Sequence, residues 1–376
     1  MRKLRVVVCG TTFGQVYIEA LRAGPADLEL AGILARGSER SRRCAERCGV
    51  PLFTRADELP RDVDVACVVI RSGLLGGRGA ELAQELMARG IHVLQEHPLH
   101  HDELAACLRQ ARRHGVEYRL NSFYPHVEPV RGFIAAARAL LARQRPLYVD
   151  AACGFQLAYS LLDILGRALR GVRPWAFAVR PDPGDLYERA GVCDVPFRTI
   201  EGVLAGVPFT LRVQNQMDPA DPDNHAHLDH RIAVGTEGGN LVLVNTHGPL
   251  VCSMRPHYPQ DPRDPASAPH FARAAGAGVS STFVLGPQAA PDFLEIFRTT
   301  WPAAVRTALG ELRQAIATGE DPLRAGQYHL SLCRLWQDLT ERLGPPELLR
   351  RELPTALSAA DVDAIRAAWG GARAGA

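Results

Sequence analysis

The sequence predicts an α/β protein in two parts. A doubly wound domain of mainly parallel strands spans residues 1–125, and an α+β domain with one large, mainly antiparallel sheet spans 126–376. Three observations predict this. A β-rich run ending in a glycine turn opens the chain, strand-like and helix-like stretches alternate as far as Asn121, and strand-like runs then succeed one another from Trp175 to Met254. Alternation builds a parallel sheet, and a block of strands after it argues for a second unit.

Composition narrows the class of protein. The 376 residues suffice for two or three domains with sizeable cores. A net charge of +2 gives no general attraction to nucleic acid or anionic membrane. No apolar run approaches the ~20 residues that span a bilayer. Leu4–Val8 passes into a glycine turn rather than a cleavage site, so a cytoplasmic protein is expected. Nine cysteines, at positions 9, 44, 48, 67, 107, 153, 193, 252 and 333, contain no Cys-x-x-Cys and read as reduced thiols. Cys44 and Cys48 could form half a metal site, but no second ligand pair has suitable spacing, and structural thiols are expected.

Leu4–Val8 is a continuous β-branched and aliphatic run, as for a strand buried on both faces. Gly10-Thr11-Thr12-Phe13-Gly14 follows, then a helix over Gln15–Ala23. Gly10 permits the tight turn, Gly14 a close helix–sheet approach, and N–H groups at the helix start face a pyrophosphate. This is the phosphate turn of a Rossmann domain with Thr12 in place of the middle glycine. The next strand, Leu28–Leu34, leads into Ala35-Arg36-Gly37-Ser38-Glu39-Arg40-Ser41. An NAD site usually has a carboxylate about 20 residues past the glycines. Here Arg36, Ser38, Arg40 and Ser41 offer donors to a 2′-phosphate, with Glu39 expected to point along the following helix, so NADP(H) is preferred. Val63–Ile70 is a further strand, and Arg71 and Ser72 at its end are either cofactor contacts or loop-fixing residues.

Ile91–Leu94 delivers Gln95-Glu96-His97-Pro98 at a strand end, where proline stops the ladder. One helix later, Tyr118–Asn121 delivers Ser122-Phe123-Tyr124-Pro125-His126. Ligands of open α/β sheets bind outside these carboxyl ends. His97 and Tyr124 are therefore the candidate proton donors, Gln95 and Glu96 join the candidate cofactor contacts, and Asn121 and His126 are candidates for supporting roles. Both donors could instead simply anchor strand ends.

Helices are expected over Pro129–Ala142 and Leu157–Leu169, and strands over Tyr148–Cys153, Trp175–Val179, Phe197–Leu204, Phe209–Gln216, His230–Thr236, Asn240–Asn245 and Pro249–Met254. Ala205–Pro208 and Glu237–Gly239 read as turns. Residues 255–290 read as an irregular excursion, followed by helices at 291–318 and 325–343, with the terminal helices free to pack back on the first domain. Ser358 and Asp361 suggest a capping box before a last helix, and Gly370–Ala376 a frayed tail. His225, His227 and His230 with Asp221, Asp223 and Asp229 could ligate a metal; a polar loop near the site mouth is the preferred reading, and no metal is expected. One broad sheet face without helices enough to cover it suggests a homodimer.

The glycine turn, Gln95-Glu96-His97-Pro98 and the α+β second part resemble the Gfo/Idh/MocA oxidoreductases. That family generally has Glu-Lys-Pro where Glu96-His97-Pro98 stands, and replacing lysine by histidine counts against a sugar substrate. The closer resemblance is to the thiazolinyl imine reductases of siderophore assembly, of the yersiniabactin and pyochelin type. It rests on Gly10-x-x-Phe13-Gly14, Gly37-Ser38-x-Arg40-Ser41, Arg71-Ser72, Gln95 to His100, Phe123 to His126, Asp221-Pro222-Asp223 and the stretch Leu332–Trp336. The resemblance implies NADPH-dependent reduction of a thiazoline C=N to a thiazolidine. The substrate would be a thioester on the carrier domain of a nonribosomal peptide synthetase, with proton donors at His97 and Tyr124. A reductase of another small imine or carbonyl, an idle NADP-binding regulator, and water as the proton source remain open readings.

Overall fold

The computed structural model describes residues 3–24, 27–72, 76–181, 184–192, 194–221, 223–255, 279–350 and 352–374. The first part runs β1 (Leu4–Cys9), α1 (Gly14–Arg22), β2 (Leu28–Leu34), α2 (Glu39–Cys48), β3 (Leu52–Phe53), β4 (Val65–Val68), α3 (Gly79–Ala88), β5 (His92–Glu96), α4 (His101–His114) and β6 (Tyr118–Asn121). The strands form a parallel sheet in the order β3-β2-β1-β4-β5-β6. Val6–Cys9 and Val65–Val68 are buried, so these strands carry unbroken apolar runs rather than alternation. β4 is shorter than Val63–Ile70: its ladder with β1 pairs Val65–Val68 with Val6–Cys9. The order reverses between β1 and β4, which puts the ligand crevice at the carboxyl ends of these strands.

The second part opens with α5 (Glu128–Leu141), β7 (Pro146–Gly154), α6 (Ala158–Ala168), β8 (Trp175–Val179) and α7 (Gly184–Arg189). It continues with β9 (Phe197–Leu204), β10 (Val207–Gln214), β11 (Gln216–Met217), β12 (His230–Thr236), β13 (Gly239–Leu243), β14 (Leu250–Met254) and β15 (Thr282–Leu285). Eight of these strands form one sheet in the order β15-β14-β13-β12-β7-β10-β9-β8, antiparallel except at β7–β10. Adjacent cross-strand rows show its two faces. Ile200, Leu211, Ala151, Ile232, Leu243 and Leu250 are in register and buried. One residue along, Thr210, Asp150, Ala233, Val242, Val251 and Val284 point the other way and stay partly or fully exposed.

Two expectations change. Val207 and Pro208 belong to β10, paired with Leu204 and Val203, because Ala205 (φ 53°) and Gly206 (φ 78°) complete a two-residue turn whose twist suits a hairpin. The excursion expected over 255–290 contains β15, which extends the sheet beside β14; residues 256–278 lie outside the described residues.

The last third comprises α8 (Phe293–Glu295), a π-helical turn (Ile296–Thr300), α9 (Trp301–Thr318), α10 (Pro322–Leu343), β16 (Glu347–Leu348) beside β11, and α11 (Ala359–Ala374). α9 lies against α1, and α10 against α4 and α6, so the terminal helices clamp both sheets' flanks. Ser358 and Asp361 cap α11 reciprocally, and the helix continues through Gly370 to Ala374, past the expected start of a frayed tail. Every described cysteine is a free thiol; Cys193 lies outside the described residues.

Candidate active site

The glycine turn has the geometry a dinucleotide phosphate requires. Gly10 sits at φ 101°, and a Cβ there would stand 2.6 Å from the Val69 carbonyl oxygen, so only glycine fits. A Cβ on Gly14 would meet Val8 and Val69 at 3.4 and 3.8 Å, ordinary contact, so the tight approach expected of Gly14 is not demanded. The N–H groups of Thr12 and Phe13 meet no backbone acceptor among the described residues. Thr11 is buried, and its carbonyl accepts from the Gln15 amide at 3.1 Å. At the adenosine end, Arg40 donates to Thr12 Oγ1 at 3.3 Å, joining the Arg36–Ser41 loop to the phosphate turn. Arg36, Ser38 and Arg40 are exposed beside Gly37 at φ 75°, and Glu39 turns along α2 to pair with Arg43.

Three sequence candidates are occupied elsewhere. Ser41 is buried and donates to the Ser38 carbonyl at 2.7 Å, fixing the α2 cap rather than facing a phosphate. Ser72 is buried and donates to the Pro98 carbonyl at 2.7 Å, tying β4's exit to β5's. Gln95 is fully buried on the α4 side of β5, its Oε1 accepting from the Tyr118 hydroxyl at 2.9 Å; strand alternation sends it away from the crevice that its neighbour Glu96 faces. Arg71 is exposed, and its charge opposes the rise that burial and then Asp221 impose on the Asp223 carboxyl. It therefore lies within electrostatic reach of Asp223.

At the carboxyl ends of β5 and β6 the crevice floor is one polar circuit. His97 Nδ1 lies 2.9 Å from Glu96 Oε1 and 3.2 Å from the Asn121 carbonyl oxygen. Tyr17, from α1, bonds Glu96 Oε2, and its oxygen accepts from Asn121 Nδ2 at 2.6 Å. The His97 ring stacks on Tyr159 of α6, centroids 5.3 Å apart. Among the described residues, His97 Nε2 makes no hydrogen bond.

Tyr124 is aimed by an unusual backbone. Phe123 adopts φ 60° and ψ −65°, and the Tyr124 N–H donates to the Ser122 carbonyl at 2.7 Å, a γ-turn of the strained, positive-φ kind. The Phe123 N–H donates to Asn121 Oδ1 at 3.0 Å, and its ring packs edge-on against Phe13, Trp301 and Tyr124. The Tyr124 ring meets the His230 ring at 4.7 Å, and its hydroxyl makes no hydrogen bond among the described residues. Burial, then Asp229, Asp223 and Glu96, hold the Tyr124 hydroxyl well above its ordinary pKa, so it stays protonated. His230 is buried between Ser160 Oγ (2.9 Å) and Thr246 Oγ1 (2.8 Å), and burial lowers its pKa to about 3. It is a neutral wall behind Tyr124. His225 instead approaches Asp218 at 3.8 Å, and the His227 ring approaches Phe197 at 6.1 Å. Among the described residues, no group of three or more His, Cys, Asp or Glu is arranged to hold a metal.

An aromatic row leads from the surface to this floor. Exposed Phe293 and Phe297 stack at 6.2 Å, Phe297 meets Trp301 at 4.9 Å, and Trp301 meets Phe13 and Phe123 at 5.7 and 5.5 Å. Sequence reasoning missed Tyr17, Tyr159, Ser160 and Trp301. Each occupies a helix and carries no local pattern that separates it from core.

Residues 4–122 match the oxidoreductase family Gfo/Idh/MocA with its NAD-binding Rossmann fold. The chain is an NAD(P)-dependent oxidoreductase that carries this Rossmann domain, and its cofactor is a nicotinamide dinucleotide. Residues 144–253 match the C-terminal domain of Irp3-like thiazolinyl imine reductases. A search of curated proteins gave no match. Among solved structures, the 3-ketoreductase KijD10 from Actinomadura kijaniata, in complex with TDP-benzene and NADP, is 18% identical, with TM-score 0.62 over 92% of this chain and 99% of that one. An oxidoreductase from Agrobacterium radiobacter in complex with NAD+, L-tartaric acid and magnesium is 14% identical, with TM-score 0.62 over 89% and 94%. UDP-N-acetylglucosamine 3-dehydrogenase GnnA from Acidithiobacillus ferrooxidans is 15% identical, with TM-score 0.59 over 92% and 100%. These likenesses show the fold alone. Among the described residues, no helix is long and apolar enough to cross a membrane.

Proposed function

We propose that the protein uses NADPH to reduce a thiazoline C=N to a thiazolidine. The observation that carries this reading is the pair of uncommitted polar atoms at the crevice floor, His97 Nε2 and the Tyr124 hydroxyl. The Gly10–Phe13 turn suits the pyrophosphate, and Arg36, Ser38 and Arg40 suit a 2′-phosphate. When bound there, the cofactor supplies the hydride. Imine reduction then requires only a proton at nitrogen, and the residues at hand provide it. Tyr124 stays protonated at neutral pH and is free to donate; His97 can replace its proton from solvent. The row Phe297, Trp301, Phe13 and Phe123 suits a planar, conjugated substrate better than a polyhydroxylated one. Histidine in place of the family lysine agrees with that.

The substrate would arrive as a thioester on the carrier domain of a nonribosomal peptide synthetase, in siderophore assembly in the cytoplasm. The chain would act as a homodimer, pairing through the sheet row Ala233, Val242, Val251 and Val284, which stays partly exposed among the described residues. Single-turnover mixing with a thiazolinyl thioester on its carrier tests the reading. NADPH absorbance should decay at the rate thiazolidine forms; tight NADPH binding with no decay would overturn it in favour of another small imine or carbonyl as acceptor.

A further inference from the structure

Beneath His97 lies a circuit in which every hydrogen bond has only one possible direction. Asn121 is oriented first: its Oδ1 accepts from the Phe123 N–H at 3.0 Å, so its Nδ2 faces Tyr17. The Tyr17 oxygen accepts from that Nδ2 at 2.6 Å, so its own proton goes to Glu96 Oε2. The other carboxylate oxygen, Oε1, faces His97 Nδ1 at 2.9 Å, and the second group on Nδ1 is also an acceptor, the Asn121 carbonyl at 3.2 Å. A ring nitrogen between two acceptors must carry hydrogen.

We infer that Glu96 is the positioning residue of this site: held by Tyr17 and Asn121, it fixes the proton of neutral His97 on Nδ1 and leaves Nε2 as the atom offered to the crevice. This rests on the reading of His97 as a working group. It also sets what His97 can do. Neutral His97 can only accept at Nε2, from a water or from a group on its way to being deprotonated. It releases a proton from Nε2 only as the imidazolium, whose inner N–H then remains on Glu96. Tyr17 belongs to the helix whose first turn forms the phosphate site, so the circuit joins the cofactor helix to the proton relay.

The test reads the tautomer directly. Long-range ¹H–¹⁵N spectra of histidine-labelled protein are recorded at a pH above the ordinary imidazole range, with and without NADP+, and His97 is assigned by its loss in His97→Gln. The wild type should show a protonated Nδ1 and a bare Nε2. In Glu96→Gln, Tyr17 and Asn121 still demand an acceptor at the Oε2 position. The carboxamide must therefore turn its NH₂ toward His97 and drive the proton to Nε2. Tyr17→Phe keeps the carboxylate and should keep the wild-type tautomer. Turnover of Glu96→Gln should fall by ~10²–10⁴-fold with little change in NADPH affinity. A wild-type Nε2–H tautomer overturns the inference, and so does an unchanged tautomer in folded Glu96→Gln. If Glu96→Gln does not fold, the wild-type spectrum still decides. The spectra need no substrate, so failure of the thiazoline assignment leaves this result standing, and an unexpected tautomer leaves that assignment untouched.

Discussion

Asn121 and Ser122 are neighbours in the chain, yet they serve two buried polar networks of opposite character. Asn121 enters the crevice circuit with Tyr17, Glu96 and His97, which ends in two open positions, His97 Nε2 and, across the γ-turn, the Tyr124 hydroxyl. Ser122 turns the other way and donates to Asp163, which is wholly buried and also receives Arg167 Nε at 2.9 Å and the Tyr328 hydroxyl at 2.8 Å. Burial opposes ionisation of Asp163, but Arg167 and the hydrogen bonds outweigh it and hold the carboxyl well below its ordinary range. The difference teaches what each network is for. A saturated one fixes helix α6 to the end of β6, and an unsaturated one is available to a ligand.

The sharpest break of this contrast is Asp163→Ala, which strands Arg167 and should cost ~3–5 kcal/mol of stability. Chemical denaturation checks it; a loss below ~1 kcal/mol would show that the saturated network is dispensable. On the open side, Tyr124→Phe should leave stability and NADPH affinity nearly unchanged and lower turnover ~10²–10⁴-fold. His97→Ala should do likewise, and the double variant should lose less than the product if both serve one relay. Near-wild-type single-turnover rates in both would leave solvent as the proton source. Away from both networks, Arg40→Ala should remove a charge-assisted contact of ~1.5–3 kcal/mol, weakening NADPH roughly ten- to over a hundredfold and sparing NADH. Equal losses, measured by titration with both cofactors, would mean the loop does not read the phosphate.

The smallest effect per step is acid sensitivity. Burial lowers the pKa of His230 to about 3 and of His126 and His247 to about 4, from an ordinary 6.5. Groups with depressed imidazole pKa values bind more protons unfolded than folded, so stability is full above 6.5 and falls as pH drops toward 4. Each contributes a slope of up to ~1.4 kcal/mol per pH unit in that window. Asp163 gives no loss there, since its depressed carboxyl loses stability only below the ordinary aspartate range. Melting temperatures flat from pH 7 to 4.5 would show that these histidines are protonated in the folded state.

Much of the first domain was legible because its turns are set by the backbone: Gly10 has no alternative, and the runs Leu4–Val8, Val63–Ile70 and Tyr118–Asn121 read as strands of a parallel sheet. The site was legible down to which strand ends meet, but less so in which way each side chain faces. Gln95 and Glu96 looked equivalent at a strand end, and only alternation in the folded sheet separates them. Ser41 and Ser72 have the chemistry of ligand contacts but use it on carbonyls brought near by folding. Tyr17 was hidden because a tyrosine in an amphipathic helix stripe looks like core. β15 was missed because Thr282–Leu285 is too short to show a period without its partner β14.

The γ-turn at Phe123 has a kinetic consequence. Its backbone strain is of order 1–3 kcal/mol, and the aromatic grip of Phe13 and Trp301 holds it closed. Phe13 belongs to the phosphate turn, so the residue that steadies Tyr124 is steadied in turn by whatever orders that turn. Binding should therefore follow a compulsory sequence, dinucleotide first and acceptor second. Product-inhibition patterns should show NADP+ competing with NADPH, and the acceptor should bind measurably only to the protein that already holds its dinucleotide.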